Sequence, residues 1–279
     1  MARIIILILC GCAITFFTTG ANALQTSKMS PKCPTGGKEA EELHLLGRKY
    51  RQGAKGMPRD KDKAEQLFEQ ALEMGNARSA LQIGSMYFSD YSRKYPEAKR
   101  HEYMIIMYNQ ALKMGCPDAY IALAKCYENG WGVRKDPQKT IELLQKGAEA
   151  GSPKGMEFYG DYLIREKGQI ELGRQWLRRA IDMGNGDAGK PLSSSYEDER
   201  NAEGIIQSLR AGARQGSKAC LLRLSTTYEN GYYGQKKDKR HAACYDKLEE
   251  AIDDFDAPAP IKDFDRICPM APTQPYKNT

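Results

Sequence analysis

The feature that most constrains the fold is a pair of short amphipathic helices, a pattern that recurs along most of the chain. It is clearest from Pro117 to Gly151. Pro117 suits the first position of a helix, and Gly130 and Gly132 end that helix. Asp136 is then a typical N-cap for a second helix, which ends at Gly151. Because neither helix can bury its apolar face alone, the segment predicts neighbours that pack on both sides.

Copies of this segment occupy most of the chain. In each copy the first helix carries a small residue three positions before a tyrosine or leucine, and most second helices end at a glycine. The pairs are Gly47 and Tyr50, Gly84 and Tyr87, Ala124 and Tyr127, Gly160 and Leu163, Ser193 and Tyr196, and Ser225 and Tyr228. The glycines are Gly75, Gly115, Gly151, Gly184 and Gly216. This self-similarity predicts a helical solenoid in which the small residues let paired helices approach closely.

The repeated residues resemble the Sel-one-like repeat (SLR), a relative of the tetratricopeptide repeat. The resemblance is strongest in LAKCYENGWGVRKDPQKTIELLQKGAEAG, residues 123–151, and in RLSTTYENGYYGQKKDKRHA, which starts at Arg223. It implies an all-α fold, a right-handed α-solenoid superhelix of about six SLR helix-turn-helix repeats. Residues 39–251 then divide into repeats at 39–75, 76–115, 116–151, 152–184, 185–216 and 217–251. Most SLR proteins are binding scaffolds, so the resemblance implies a protein partner.

Residues 1–23 are typical of a secretory signal peptide. An apolar run from Ile4 to Phe17 follows a basic start, and Ala21 to Ala23 has the form of a signal-peptidase site. We expect cleavage after Ala23 and export to the periplasm. An uncleaved anchor with stable membrane insertion is disfavoured because the run is short for a bilayer. A lipoprotein stays open as an alternative, since Leu9 to Cys12 resembles a lipobox with Cys12 as the acylated residue.

The segments on either side of the repeats differ in composition. Residues 24–38 are polar, which predicts a flexible lead-in that Cys33 could tie down. Residues 252–279 are proline-rich, and large apolar side chains need cover from solvent. We therefore expect a C-terminal capping tail that folds back on the last repeats. The apolar residues of this tail are Phe255, Ile261, Phe264, Ile267 and Met270.

The end of the chain, from DKLEEAIDDF onward, resembles a group of bacterial envelope SLR proteins. That group includes immunity proteins that neutralise lipase and phospholipase effectors of the type VI secretion system. The resemblance covers the last repeat and the tail. It implies that the partner is a toxin of this kind.

Two segments depart from the regular pattern. Pro191 lies inside the first helix of the fifth copy, where it should kink or shorten the helix. The segment from Tyr103 to Tyr108 is apolar on more than one face. It predicts either extra burial against neighbouring helices or an exposed contact patch.

The net charge of the chain says little about the class of its partner. Lysine and arginine number 42 against 36 acidic residues, which gives a net charge of +6. The basic residues cluster in the connections between paired helices. Nucleic acid is not an expected partner, because the export signal removes the chain from that compartment. Contact with an acidic partner or with anionic lipid stays open.

An even number of cysteines remains after cleavage, which in an exported chain indicates disulfides. Six cysteines allow fifteen pairings, so the connectivity stays open. A bond between Cys116 and Cys126 is excluded, because one helix would hold them roughly 15 Å apart. The chain contains no C-x-x-C motif, so we do not expect a metal site. The candidate disulfide cysteines are Cys33, Cys116, Cys126, Cys220, Cys244 and Cys268.

No residues form a recognisable catalytic group. His44, His101 and His241 fall in different repeats, and the chain lacks a nucleophile elbow or a phosphate loop. We therefore predict no enzyme activity and no cofactor. A cell-wall or β-lactam hydrolase is a distant alternative.

The expected function is binding through the first helices, which should line the concave face of the solenoid. One hypothesis is a periplasmic immunity protein that binds and blocks a type VI secretion lipase or phospholipase effector. The alternative is an envelope scaffold or adaptor without a toxin partner. The predicted partner-binding residues are Arg48, Gln82, Ser85, Lys125, Glu157, Asp161, Lys190, Arg223 and Thr226.

Overall fold

The structure is a computed structural model that describes residues 33–54, 56–88, 96–252 and 259–271, with the side chains of residues 97 and 98 left out. The predicted signal peptide and lipobox lie outside the described residues, as do most of the predicted lead-in and Phe255. Within the described residues, no helix is both long and apolar enough to span a membrane.

The described chain is built from helices arranged in consecutive pairs. Its one β-bridge in this part of the chain joins Thr35 to Asn76. The helices are α1 (Lys38–Gln52), α2 (Lys61–Glu73), α3 (Ala77–Phe88), α4 (Glu97–Lys113), α5 (Asp118–Asn129), α6 (Pro137–Glu149), α7 (Pro153–Lys167), α8 (Ile170–Asp182), α9 (Gly189–Ser194), α10 (Ala202–Arg214), α11 (Lys218–Asn230), α12 (Lys239–Glu250) and the single turn α13 (Phe264–Ile267). The prediction of an all-α solenoid of helix-turn-helix repeats is confirmed.

Local side-chain chemistry sets where the second helices begin. The carboxylate of Asp136 accepts a hydrogen bond of 2.9 Å from the backbone N–H of Lys139, as a helix N-cap does. Asp60 makes the same bond of 2.9 Å to the N–H of Lys63. Each cap fixes the start of a second helix, since it satisfies a backbone donor that would otherwise need water.

The two helices of a pair run antiparallel and touch closely. In the third repeat, a methyl carbon of Ile121 packs on Gly147, while the hydroxyl of Thr140 reaches the carbonyl of Ala124. Small residues are required at these crossings. A β-carbon on Gly47 would lie 2.8 Å from the ring of Phe68, well inside contact distance. The predicted reason for small residues in the first helices is therefore confirmed.

The fifth repeat is irregular, as Pro191 predicts. Its first helix is divided into a short 3-10 turn from Gly186 to Ala188 and α9, which has only 6 residues. Proline lacks a backbone donor and its ring clashes with the preceding turn, so a long helix cannot run through this position.

The first residue of a repeat, which follows the glycine that closes the preceding repeat, links the two repeats. Its side chain bonds to an acid near the start of the preceding repeat's first helix. We call this residue the clamp. The bonds run from Asn76 to Glu41 (3.1 Å), from Ser152 to Asp118 (2.6 Å), from Asn185 to Glu157 (2.7 Å) and from Ser217 to Asp187 (2.7 Å).

In the third repeat the clamp is Cys116, which bonds differently. Two cysteine pairs lie at bonding distance, Cys33 with Cys116 and Cys244 with Cys268. The other two candidates, Cys126 and Cys220, are buried free thiols, so the inclusion of all six cysteines was wrong. Both lie in the core with no second thiol nearby. Burial raises the pKa of Cys126 to about 12 and that of Cys220 to about 11, which keeps them as inert thiols.

The last residues of the predicted flexible lead-in are packed. Cys33 is buried and belongs to the same apolar cluster as Ala77 and Ala119. Thr35 forms its bridge with Asn76. The disulfide and the bridge hold residues 33–37 against the first repeats, which a polar composition alone did not indicate.

The described part of the tail lies on the last two repeats. Phe264 is buried, and the guanidinium of Arg210 bonds to the carbonyl of Cys268 (2.9 Å) and to Asp265 (2.6 Å). The prediction that Ile267 and Met270 are covered was wrong, because both are exposed.

The apolar segment of α4, from Tyr103 to Tyr108, is buried at some positions and exposed at others, so it combines the two alternatives of extra burial and an exposed patch. Met104 and Tyr108 are buried in the core, whereas Tyr103 and Ile106 are exposed. Because a helix turns once in 3.6 residues, six consecutive apolar residues cannot all face the same neighbour.

Candidate partner-binding groove

Two adjoining depressions run across the first helices of the last three repeats. The first, of about 240 Å³, lies between α7 and α9. The second, of about 430 Å³, lies between α9, α11 and the connection that follows α11. Lys190 lines both of them, so together they form one continuous surface, which we call the groove.

The half of the groove between α7 and α9 is lined by charged residues. Asp161 forms an ion pair of 2.8 Å with Arg165 one turn later on α7. Glu157 accepts a hydrogen bond of 2.7 Å from the clamp Asn185. Burial raises the pKa of Glu157, with a smaller contribution from the nearby acids. This half therefore offers fixed acidic groups rather than mobile ones.

The half between α9 and α11 has an exposed apolar floor. Leu222 is 61% exposed and Tyr232 is 53% exposed, the highest values among the large apolar residues that the structure describes. Ala219 completes the floor between them. Large apolar side chains that stay in solvent inside a concave surface are typical of a contact site.

Two cations border this apolar floor, and they differ in freedom. Arg223 donates to Glu197 (2.6 Å) and to the hydroxyl of Tyr233 (2.5 Å), so its guanidinium is fixed. Lys190 is exposed and forms no ion pair with any residue that the structure describes. The groove thus keeps one unpaired cation at the junction of its two halves, available to a carboxylate of a partner.

The structure brings most of the predicted site residues together. Glu157, Asp161, Lys190, Arg223 and Thr226 all line the groove. Lys125 borders it, because its ammonium lies 4.9 Å from the ring centroid of Phe158, another lining residue.

The other predicted residues lie in the first two repeats, away from the groove. Gln82 accepts a hydrogen bond of 2.5 Å from Arg51, and the hydroxyl of Ser85 donates to the carbonyl of Gln82. Arg48 is half-buried on α1. None of these three residues lines either half of the groove.

Sequence reasoning missed the apolar part of the groove. Leu222 and Tyr232 were not among the predicted residues, although a signal for Leu222 existed. Leu221, Leu224 and Tyr228 follow the helical spacing of one face of α11, and Leu222 lies off that face. Leu221 is fully buried, which leaves Leu222 to solvent.

His44 and His241 each form a structural hydrogen bond. His44 is buried, shares a hydrogen bond of 2.9 Å with Ser79, and has a pKa lowered to about 4, chiefly by burial. His241 bonds Asp238 at 2.8 Å. Among the described residues, possible metal ligands converge at Cys33, Cys116 and Asp118, but the two thiols there are joined as a disulfide.

Comparison with protein families accounts for this architecture. The family model "Sel1 repeat" matches residues 43–76, 117–152, 155–185 and 218–243. The chain carries Sel1 repeats. The helix pairs α3–α4 and α9–α10 lie outside the matches. They contain the long connection of the second repeat and the helix that Pro191 divides, where the sequence departs from the repeat pattern.

Solved structures share this Sel1-repeat fold. The chain is similar to the immunity protein Pa5087 from Pseudomonas aeruginosa, with a TM-score of 0.69 and 19% identity over 85% of this chain and 90% of that one. It is also similar to a Sel1 repeat protein from Oxalobacter formigenes, with a TM-score of 0.56 and 21% identity over 76% and 87% of the two chains.

A curated relative shares part of the sequence. Chitin synthase regulatory factor 3 of Schizosaccharomyces pombe is 27% identical over 149 residues, which cover 49% of this chain and 16% of that protein. The chain spans less than a quarter of the length of the curated relatives it matches, since the corresponding share for factor 4 is 21%.

Proposed function

We propose that the protein is a periplasmic immunity protein that binds a lipase or phospholipase effector of the type VI secretion system. It blocks this toxin by occlusion and performs no chemistry of its own. The groove is the binding surface. The observation that carries the proposal is the groove's composition, in which Leu222 and Tyr232 are exposed beside the unpaired Lys190.

This composition suits a protein partner. Interfaces gain most of their free energy from a few apolar or aromatic anchors, and charged groups around them set orientation and association rate. The groove offers the anchors on α11 and the charges on α7 and α9. An interface of standard size buries about 800 Å² on each partner, and the first helices of three repeats supply a surface of that order.

Two further observations support the export and the immunity role. The disulfides Cys33–Cys116 and Cys244–Cys268 favour an oxidising compartment such as the periplasm. The fold is similar to that of a protein named as an immunity protein, although at 19% identity this likeness concerns the fold alone.

The test is a competition between toxin-delivering cells and siblings that lack this gene. The siblings are complemented with the wild-type protein, with the groove variant Lys190→Glu/Leu222→Asp, or with the control variant Lys146→Glu/Ile106→Asp. The control makes the same chemical changes at exposed residues outside the groove. We expect wild type and control to protect the siblings and the groove variant to fail at equal protein level and equal helical content.

The same variants should also differ in their affinity for the purified effector. Reversing a charge that meets a buried partner costs roughly 2–5 kcal/mol, so the groove variant should bind at least about 30-fold more weakly. Equal survival with and without the gene would contradict the immunity role and leave an envelope adaptor. Protection by the groove variant would contradict the groove and move the site elsewhere on the molecule.

A further inference from the structure

The end of the connection between α11 and α12, together with the first two residues of α12, carries the densest positive charge of the described chain. Lys236, Lys237, Lys239 and Arg240 are all exposed, and none forms an ion pair with a residue that the structure describes. We call these residues the basic connection. Four unpaired cations within five positions repel one another, so this loop gains no stability from its charge.

The acid in the middle of the run does not point to these cations. Asp238 accepts hydrogen bonds from the backbone N–H groups of Arg240 (2.9 Å) and His241 (3.1 Å) as the N-cap of α12. It also bonds the Nδ1 atom of His241 at 2.8 Å. Its charge is therefore engaged by the helix terminus and by His241, and the cations around it stay uncompensated.

The neighbouring connection has the opposite character. Between α9 and α10 the chain exposes Glu197, Asp198 and Glu199. Other connections also carry exposed cations, such as Arg134 and Lys135, but the last one carries four of them within five positions.

Exposed apolar side chains lie directly beside the basic connection. Tyr232, which is 53% exposed, starts the turn that leads into it, and its carbonyl accepts a hydrogen bond of 3.0 Å from Gln235. The stem of Lys237 packs on Gly231, where a β-carbon would lie 3.2 Å from its Cγ. The aromatic ring and the cations therefore lie on one short segment, residues 231–240, which we call the protrusion; Tyr232 also lines the groove.

We propose that this protrusion docks on the surface of an anionic phospholipid bilayer. Lysine and arginine attract the negative headgroups, and an exposed tyrosine with a polar hydroxyl suits the boundary between headgroups and acyl chains. A soluble polyanion would use the cations but would gain nothing from Tyr232 and Leu222. The binding is peripheral. Tyr232 belongs to both surfaces, but the four cations lie outside the groove, so the inference does not depend on the proposed function.

The test measures flotation of the purified protein with vesicles. One set contains phosphatidylcholine alone, and the other contains equal parts of phosphatidylcholine and phosphatidylglycerol. We expect binding to the anionic set only. Each basic residue near an anionic surface raises the affinity about fivefold. The test variant changes Lys236, Lys237, Lys239 and Arg240 to Ala. Its affinity for anionic vesicles should therefore fall roughly several hundredfold.

A matched variant controls for total charge. Lys99, Arg134, Lys135 and Lys146 are exposed cations outside the protrusion, and changing these to Ala removes the same charge. This control should bind anionic vesicles like the wild type. Equal loss in both variants, or equal binding of the wild type to neutral and anionic vesicles, overturns the proposal.

A third variant distinguishes lipid from other polyanions. Tyr232→Ser should weaken binding to anionic vesicles severalfold and leave binding to heparin unchanged. If the protein binds heparin as tightly as vesicles, and Tyr232→Ser changes neither, the protrusion is a general polyanion site and the lipid proposal fails. The four-alanine variant should still bind the effector in solution, which separates this inference from the proposed function.

Discussion

The two ends of the solenoid are closed in different ways. At the N-terminal end, Cys33 is joined to Cys116 over a separation of 83 residues, and the bridge from Thr35 to Asn76 holds the described segment before α1. At the C-terminal end, the tail inserts Phe264 into the core and bonds to Arg210, while its disulfide spans only 24 residues.

This difference separates two sources of stability. A cross-link over a long loop acts mainly on the unfolded chain, whose conformational freedom it reduces. A packed tail acts on the folded chain, through buried area and hydrogen bonds. Reduction should therefore affect mainly the first three repeats, and truncation of buried side chains should affect mainly the last two.

The largest expected effect is loss of the long cross-link. Cys33→Ser with Cys116→Ser should lower the free energy of unfolding by about 4.5 kcal/mol, because the loop it closes is long. The matched pair Cys244→Ser with Cys268→Ser should cost about 3.5 kcal/mol, because its loop is shorter. Urea denaturation of the oxidised proteins measures both. A larger loss from the second pair would contradict the division between the two ends.

Next in size is the packing of the tail. Phe264→Ala should destabilise the C-terminal repeats by about 4 kcal/mol, since the ring is fully buried beside Tyr245 and Arg210. Ile267→Ala in the same short helix is the control. Its side chain is exposed, so the change should stay within about 0.5 kcal/mol. Similar melting curves for the two variants would show that the tail does not contribute by burial.

Acid should weaken the N-terminal end through His44. Its pKa falls from 6.5 in the unfolded chain to about 4 in the folded protein, mainly because the ring is buried. The unfolded state therefore takes up a proton first as pH decreases. Stability is complete above pH 6.5 and should fall by about 3 kcal/mol between pH 6.5 and pH 4.

The variant His44→Gln tests this assignment, because glutamine can bond Ser79 but does not titrate in this range. Its free energy of unfolding should lose the part of the pH dependence that His44 causes. Hydrogen exchange should locate the acid effect in α1 to α3. An unchanged pH profile in the variant would rule out His44 as the cause.

The smallest effect concerns the interior, between the two ends. Asp118→Ala removes the acceptor of the clamp Ser152 and should cost about 1 kcal/mol. Glu128→Ala, an exposed acid at the other end of α5, should change stability by less than about 0.5 kcal/mol. Exchange of the amides at the start of α7 provides the local measurement. Equal protection in both variants would show that the clamp does not hold adjacent repeats together.

Much of the fold could be predicted because its signals are local. Asp136 as an N-cap and the glycine after each second helix determine where helices begin and end within a few residues. The pairing of Cys33 with Cys116 could not be predicted in this way. It depends on how two repeats stack between them, and six cysteines allow fifteen pairings.

Apolar character alone did not show which side chains are buried. In the tail, Phe264 and Cys268 are four positions apart, so one helical turn brings both to the core. Ile267 lies between them in sequence and faces solvent. In the groove the repeat pattern located Lys190 and Arg223, but Tyr232 lies on a connection, where helical periodicity gives no information.

The long disulfide also has a mechanical consequence. When the oxidised chain is pulled from its two ends, force passes directly from Cys33 to Cys116 and does not extend the chain between them, a separation of 83 residues. At roughly 3.5 Å per residue, about 290 Å of contour length stays hidden until the bond is reduced. The first two repeats of an oxidised molecule therefore bear little of a stretching load, which falls on the later repeats that contain the groove.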